Sequence, residues 1–229
     1  MKLLALDTST ELCSAAVWLD GALSSREATR QRGHGELILP MIVELLLQAG
    51  IGLAQLDAIA FGRGPGGFTG VRLAAGVAQG LAFAARLPLL PISDLRALAA
   101  QALSLAPASG CVLVCQDARM NEVYWGCFER ATGDARALGP EAVAAPGEVA
   151  LPAGWDAARV CGAGSGFAVY APQLAAIAGG LAGVFAGLRP RATEVALLAV
   201  HDGLARAIAA EQAQPVYLRD DVAQPPSQK

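Results

Sequence analysis

The chain has 229 residues, 54% of them hydrophobic and 16% charged, which is enough to bury the core of one large domain or of two domains of about 100 residues each. Its formal net charge of -3 excludes broad non-specific binding to nucleic acid, which needs a basic surface. Five cysteines (13, 111, 115, 127 and 161) without a Cys-x-x-Cys pair point to reduced, buried thiols in a cytosolic protein. They do not form the pattern of a disulfide frame or a zinc site.

Met1-Lys2 is followed by only four apolar residues before Asp7, so no secretory leader is expected. Residues 2–7 read as a buried strand, Thr8-Ser9-Thr10 as a polar turn and residues 13–19 as a second strand. Asp20-Gly21 is a hairpin signal, because glycine tolerates the positive φ of a primed turn, and residues 22–29 make a third strand. The chain thus opens with an antiparallel meander. Residues 36–49 read as a helix, with Leu37, Met41 and Leu45 on one row and Ile38, Ile42 and Leu46 on another. Pro40 falls within its first turn or so, which a helix tolerates, and Gly50 stops it. Residues 56–61 form an apolar strand. A helix over 70–86 follows, with Thr69 as its N-cap. Residues 88–92 are a strand, and Ser93 caps a helix running to about residue 105.

The pattern restarts after Pro107-Ala108-Ser109-Gly110. Residues 111–116, 122–129 and 135–138 read as a second meander, residues 158–161 as a later strand, and residues 173–186 and 193–211 as helices. A β-β-β-α-β-α order therefore occurs twice, the second copy irregular. This predicts an α/β protein of two similar lobes, 1–106 and 107–229, whose last segment is free to return to the first lobe. Residues 221–229 read as a tail. The longest apolar run, residues 174–188, is glycine-rich and shorter than the roughly 20 residues that span a bilayer, so no membrane association is expected.

Two helices carry more apolar surface than one sheet needs. In the helix over 70–86, Leu73, Val77 and Leu81 form a ridge, Gly76, Gly80 and Ala84 one row of small residues, and Ala74, Ala78 and Ala82 another. Its strongly polar residues are Arg72, Gln79 and Arg86. In the helix over 36–49, apolar side chains from Leu37 to Leu47 surround the axis. Helices with so little polar face are buried on more than one side, either by the same chain or by another protein.

Catalytic chemistry is sparse. The segment from Phe61 to Arg72, with Gly64-Pro65-Gly66-Gly67 at its turn, has the layout of a backbone loop that approaches a phosphate or another backbone closely. With Asp7 at the end of the first strand and Thr8 beside it, Gly66 and Gly67 make a possible vestigial nucleotide or anion site. The rival function is then a nucleotide-dependent phosphotransferase or hydrolase of the actin and sugar-kinase kind. The same loop equally suits a tight strand-to-helix crossover. His34 and His201 are far apart and neither has a second histidine at i+4, so no metal site is expected. Gly164-Ser165-Gly166 is not a Gly-x-Ser-x-Gly nucleophile turn. Arg26, Arg30 and Arg32 form a short basic strip, a third and weaker reading being direct contact with tRNA.

Leu4-Ala-Leu-Asp-Thr-Ser-Thr10, His34-Gly-Glu-Leu-Ile-Leu-Pro-Met41, Gly64-Pro-Gly-Gly-Phe-Thr-Gly-Val-Arg72, Asp117-Ala-Arg-Met-Asn-Glu-Val-Tyr124 and Pro215-Val-Tyr-Leu-Arg219 together resemble the bacterial TsaB (YeaZ) family. The resemblance implies a two-lobed actin-like (ASKHA) fold and a role in making threonylcarbamoyladenosine beside the anticodon of tRNAs that read ANN codons. It implies a catalytic paralogue, TsaD, as heterodimer partner, the ATPase TsaE as a second partner, tRNA reached through the complex, and a homodimer in isolation. TsaD holds a metal through His-x-x-x-His; here Asp94 and Leu98 stand at those places, so the resemblance implies a non-catalytic subunit with no cofactor. Family members pair with TsaD through the first two helices. Carried onto this chain, the expected contacts are Leu37, Pro40, Met41 and Leu45 on the first helix and Val71, Ala74, Ala75 and Ala78 on the second. On that reading Ala78→Arg abolishes pairing and spares the fold.

Overall fold

The computed structural model describes residues 1–219; the expected tail at 221–229 lies outside them. Strands β1 (Lys2–Asp7), β2 (Leu12–Leu19) and β3 (Ala22–Thr29) form the opening meander, followed by helix α1 (His34–Ala49). Asp20 and Gly21 both take positive φ, 47° and 111°, as a primed hairpin turn requires. Strand β4 (Ala58–Gly62), helix α2 (Phe68–Ala85), strand β5 (Leu89–Ile92) and helix α3 (Asp94–Leu105) complete the first repeat. Its five strands lie in the order β3-β2-β1-β4-β5, antiparallel in the meander and parallel from β1 to β5.

The second repeat contains β6 (Cys111–Arg119), β7 (Glu122–Ala131), β8 (Asp134–Ala137), β9 (Ala142–Ala144), β10 (Val160–Ala163), α4 (Gly166–Val169), α5 (Ala171–Ala178), β11 (Gly183–Phe185) and α6 (Ala192–Asp202). Its sheet runs β11-β10-β6-β7-β8, with β9 also paired to β7. Reversed, that is the strand order of the first sheet, so the two repeats share one topology. The molecule has the two-lobed, actin-like ASKHA fold.

Several boundaries differ from the expectations. α1 begins at His34, which places Pro40 in its second turn. Pro40 is exposed, so the carbonyl that loses its partner faces water. α2 begins at Phe68 with Gly67 as N-cap, so Thr69 lies inside the helix rather than capping it. Ser93 does cap α3, its hydroxyl accepting from the Arg96 N–H at 3.1 Å. Where the first repeat has α1, the second has β9 and two 3-10 turns, because Pro140, Pro146 and Pro152 interrupt any helix there. The expected helix over 173–186 stops at Gly179, and Gly183–Phe185 pairs with β10 instead. The expected helix over 193–211 ends at Gly203, whose φ is 68°.

The core is layered. Leu4, Leu6, Ile59 and Phe61 point to one face of the first sheet, where α1 and α2 lie. Leu3, Ala5, Ala58 and Ala60 point to the other, against α6, as strand alternation demands. Helices are exchanged between the repeats. α3 packs on the second sheet through Leu95, Leu98, Ala99 and Ala102, and α6 packs on the first through Val195, Ala196 and Ala199. A cut at residue 106 would part α3 from the sheet that buries it. Arg96 of α3 ties the exchange together. It bonds Asp202 at the end of α6 at 2.7 Å and Asp134 of β8 at 2.5 Å.

The last described segment bridges both lobes. The Val216 N–H donates to the Arg63 carbonyl at 2.7 Å. Tyr217 accepts from Arg72 at 2.6 Å, and Arg219 pairs with Glu122 in the second lobe. By length and composition, α2 is the one helix among the described residues suited to cross a membrane; it lies on the first sheet with Ala74, Ala75 and Ala78 in the core.

Gly70 and Gly76 of α2 separate close approach from helix propensity. A Cβ on Gly70 would meet the Thr8 carbonyl oxygen at 2.0 Å, whereas one on Gly76 would meet nothing within 4 Å. Gly70→Ala is expected to destabilise the fold by about 2–3 kcal/mol, and Gly76→Ala to stabilise it by roughly 0.5–1 kcal/mol. Urea unfolding of the two variants beside the wild type measures both.

Candidate functional site

The residues singled out as a vestigial anion site do come together, but the Thr8 hydroxyl and the Gly67 N–H are used within the chain. Asp7 ends β1, and the Ser9 N–H and hydroxyl both donate to its Oδ1 at 2.9 Å. The Thr8 hydroxyl donates to the Gly70 carbonyl at 2.7 Å. The Gly67 N–H donates to the Ser9 carbonyl at 2.8 Å. A Cβ on Gly66 would meet the Ser9 carbonyl oxygen at 2.9 Å. The glycines therefore let the loop sit directly on the Thr8-Ser9 turn. This is the crossover reading: the Gly67 N–H faces the chain's own backbone, not an anion.

Asp94 lies beside Asp7. Both are wholly buried, and both face Gly62, where a Cβ would meet Asp7 Oδ2 at 2.0 Å and Asp94 Oδ1 at 2.4 Å. Among the described residues neither Asp94 oxygen nor Asp7 Oδ2 has another hydrogen-bond partner. Burial raises the Asp7 carboxyl above its ordinary range, and the Ser9 donors work against that shift. Burial and the neighbouring Asp7 charge push Asp94 well above its ordinary range. Two buried carboxyls in contact cannot both ionise, so the pair holds one proton. Asp94 is raised the further of the two, by burial and by the Asp7 charge, so it is the carboxyl expected to keep that proton. Sequence reasoning picked out Asp94 only through the resemblance; nothing local told that β5 delivers it to the end of β1.

The donor set does not fit the metal held by the catalytic paralogue that the chain resembles. Leu98 is buried in the cluster beneath the second sheet and offers no ligand. Among the described residues no group of three or more His, Cys, Asp or Glu is placed to hold an ion. His34 opens α1 with a buried Nε2 that has no partner among the described residues. His201 lies at the far end of α6, 3.6 Å from Asp202. The thiols are structural: Cys13 and Cys127 are each pushed up to about 11 by burial, and all five cysteines are free.

The helices expected to meet a partner present faces other than those expected. Leu45 on α1 and Val71, Ala74, Ala75 and Ala78 on α2 are buried in the chain's own core and are not available to another protein. Leu37 and Met41 are half-buried against that core, and Pro40 is exposed. Outward on α1 stand Leu39, Val43 and Leu47, 46%, 54% and 75% exposed. Outward on α2 stand Phe68 and Phe83 and the bare backbone of Gly76 and Gly80. Of the two small-residue rows, the alanines face in and the glycines face out. Of the basic strip, Arg26 is engaged by Gln48 at 2.8 Å and Glu44 at 3.8 Å, while Arg30 and Arg32 are exposed.

Asp94→Asn tests the shared proton. The folded Asp94 carboxyl is raised, so the fold takes up a proton. That stability is present below the ordinary carboxylate range and is lost as pH rises towards the folded value. An asparagine at 94 keeps a donor to Asp7 at every pH. The variant is expected to be more stable than wild type by about 1–2 kcal/mol near pH 8, with the gain shrinking towards about pH 4. Thermal unfolding at both pH values measures it; an equal or negative shift at high pH contradicts a proton on Asp94.

Residues 24–224 match a family model described as TsaD, tRNA N6-adenosine threonylcarbamoyltransferase. A tRNA threonylcarbamoyladenosine biosynthesis protein TsaB of Escherichia coli is 38% identical over 97% of this chain and 96% of its own length. The TsaB of Haemophilus influenzae is 56% identical over 55% of this chain, a match that spans 52% of that protein. A solved structure of YeaZ from Pseudomonas aeruginosa superposes with a TM-score of 0.85 at 45% identity, covering 95% of this chain and 99% of the other. With the same fold and full-length similarity, the chain belongs to the TsaB (YeaZ) family of tRNA threonylcarbamoyladenosine biosynthesis proteins.

Proposed function

We propose that this protein is a non-catalytic, cytoplasmic subunit in the formation of threonylcarbamoyladenosine on tRNAs reading ANN codons. It docks on the catalytic subunit TsaD through the outward faces of α1 and α2 and works with the ATPase TsaE. The first repeat and its returning segment act as the docking lobe. The observation that carries the reading is the uncovered apolar surface of Leu39, Val43 and Leu47 on α1 and of Phe83 on α2, together with the bare Gly76 and Gly80 backbone of α2. Exposed glycines at i and i+4 let a partner helix approach closely, and large exposed apolar groups on the two helices supply buried area. The same face serves a homodimer when TsaD is absent. Docking shifts TsaD towards the state competent for its substrates, and tRNA is met through the complex. The buried Leu98 supports the absence of catalysis here, and the internal bonding of Gly67 weighs against a nucleotide-dependent phosphotransferase or hydrolase. Saturable binding of ATP and magnesium, with turnover lost in Asp7→Ala, would favour that rival.

Size exclusion of the purified chain mixed with TsaD at micromolar concentration tests docking, co-elution being the expected result. Val43→Arg and Gly80→Arg are expected to abolish co-elution while the chain stays folded, since Val43 is over half exposed and a Cβ at Gly80 meets nothing within 4 Å. Ala78→Arg, expected from sequence to spare the fold, is now expected to unfold it, because Ala78 is wholly buried and a charge there has no partner. Co-elution that survives both outward substitutions moves the interface elsewhere.

A further inference from the structure

A second polar feature lies in the cleft between the lobes, apart from the helical docking face. A cavity of about 310 Å³ is lined by Arg63, Ser93, Phe128, Glu141, Val216 and Leu218, among others. Arg63 follows β4, and its backbone is pinned on both sides by Ile92 and Val216. The Arg63 Nε is buried and has no hydrogen-bond partner among the described residues. A buried donor left unmade is costly, and native structures rarely keep one without water or ligand. The neighbouring arginine, Arg96, is occupied by Asp134 and Asp202, so Arg63 is the guanidinium with bonding capacity to spare.

Glu141 lines the same cavity. Its carboxylate accepts from the Ser93 hydroxyl, and burial raises it despite the Arg63 charge nearby. The cavity therefore offers a guanidinium fork and a carboxylate within one small volume, with Phe128, Val216 and Leu218 as apolar wall. A guanidinium matches a carboxylate in two parallel bonds. Glu141 takes a cation or a hydrogen donor. The volume is at the small end for ligand sites.

We propose that this inter-lobe cavity is a binding site for a small zwitterion, an α-amino acid with an apolar side chain. Arg63 holds the carboxylate, Glu141 the ammonium, and the Phe128 wall the side chain. Occupancy satisfies the orphaned Arg63 donor and joins β4 of the first lobe to the 139–141 segment of the second.

The test is a ligand series on the full chain, read by thermal shift and calorimetry: L-valine, 3-methylbutanoate (carboxylate only), isobutylamine (ammonium only) and inorganic phosphate. L-valine is expected to bind saturably at low-millimolar concentration and 3-methylbutanoate about tenfold more weakly, with no binding of the amine or of phosphate. Glu141→Gln is expected to erase the advantage of L-valine over 3-methylbutanoate, and Arg63→Gln to lose both. Arg63→Lys keeps the charge but not the fork and is expected to weaken both; should Arg63→Gln fail to fold, Arg63→Lys and the wild-type series decide. Absence of saturable L-valine binding, phosphate binding as tight as L-valine, or L-valine binding unchanged by either Arg63 substitution overturns the proposal.

Discussion

Gly70 and Gly66 bring one backbone against another with no room for a methyl group. The Thr8 carbonyl oxygen lies 2.0 Å from where a Gly70 Cβ would stand, and the Ser9 carbonyl oxygen 2.9 Å from that of Gly66. This seating of the 64–70 loop on the β1–β2 turn fixes where α2 begins. It therefore fixes the rotation that sends Ala74 and Ala78 into the core and turns Gly76 and Gly80 outward. It also closes the turn over Asp7, which is why that carboxyl is dry and shares a proton with Asp94.

The exchanged helices hold the other side of the cleft. α3 leaves the first sheet to pack on the second and α6 returns to pack on the first, so neither sheet is covered on both faces without the other repeat. Arg96 joins the two helices and β8 in one ion cluster. The segment from Val216 to Arg219 adds a strap from Arg63 to Glu122. Such cross-bracing suits the docking role proposed for the chain. The α1–α2 face lies on the opposite side of the first sheet from α6, away from the cleft, so docking there and ligand binding in the cleft use separate surfaces.

The opening meander, the Asp20-Gly21 hairpin, the Gly50 stop and the Ser93 cap were all legible, because each rests on local chemistry: alternation, positive φ or a hydroxyl reaching one helical turn. The second repeat was read less well. Val184 and Phe185 lie in a glycine-rich apolar run whose periodicity does not separate helix from strand, and only pairing with β10 decides it. The stop at Gly203 is hidden in the sequence because apolar residues continue beyond it; Ile208 in fact bridges to Leu89 of the first sheet. Of the site residues, Asp7 and the glycines were visible at strand and turn ends. Arg63 and Glu141 were not, since 78 positions separate them in sequence and no motif links them.

By itself the amino-acid order determined the repeated α/β architecture, the family, and the surplus of apolar surface on two neighbouring helices. Those follow from composition, spacing and turn residues, which act over a few positions. Which side of each helix is surplus was left to the tertiary structure. α2 offers alanine on one row and glycine on another, and a helix apolar on every side carries no signal of its own rotation. Packing against the first sheet and the Thr8-Ser9 turn chose the alanines for the core, and that choice alone sets what remains for a partner.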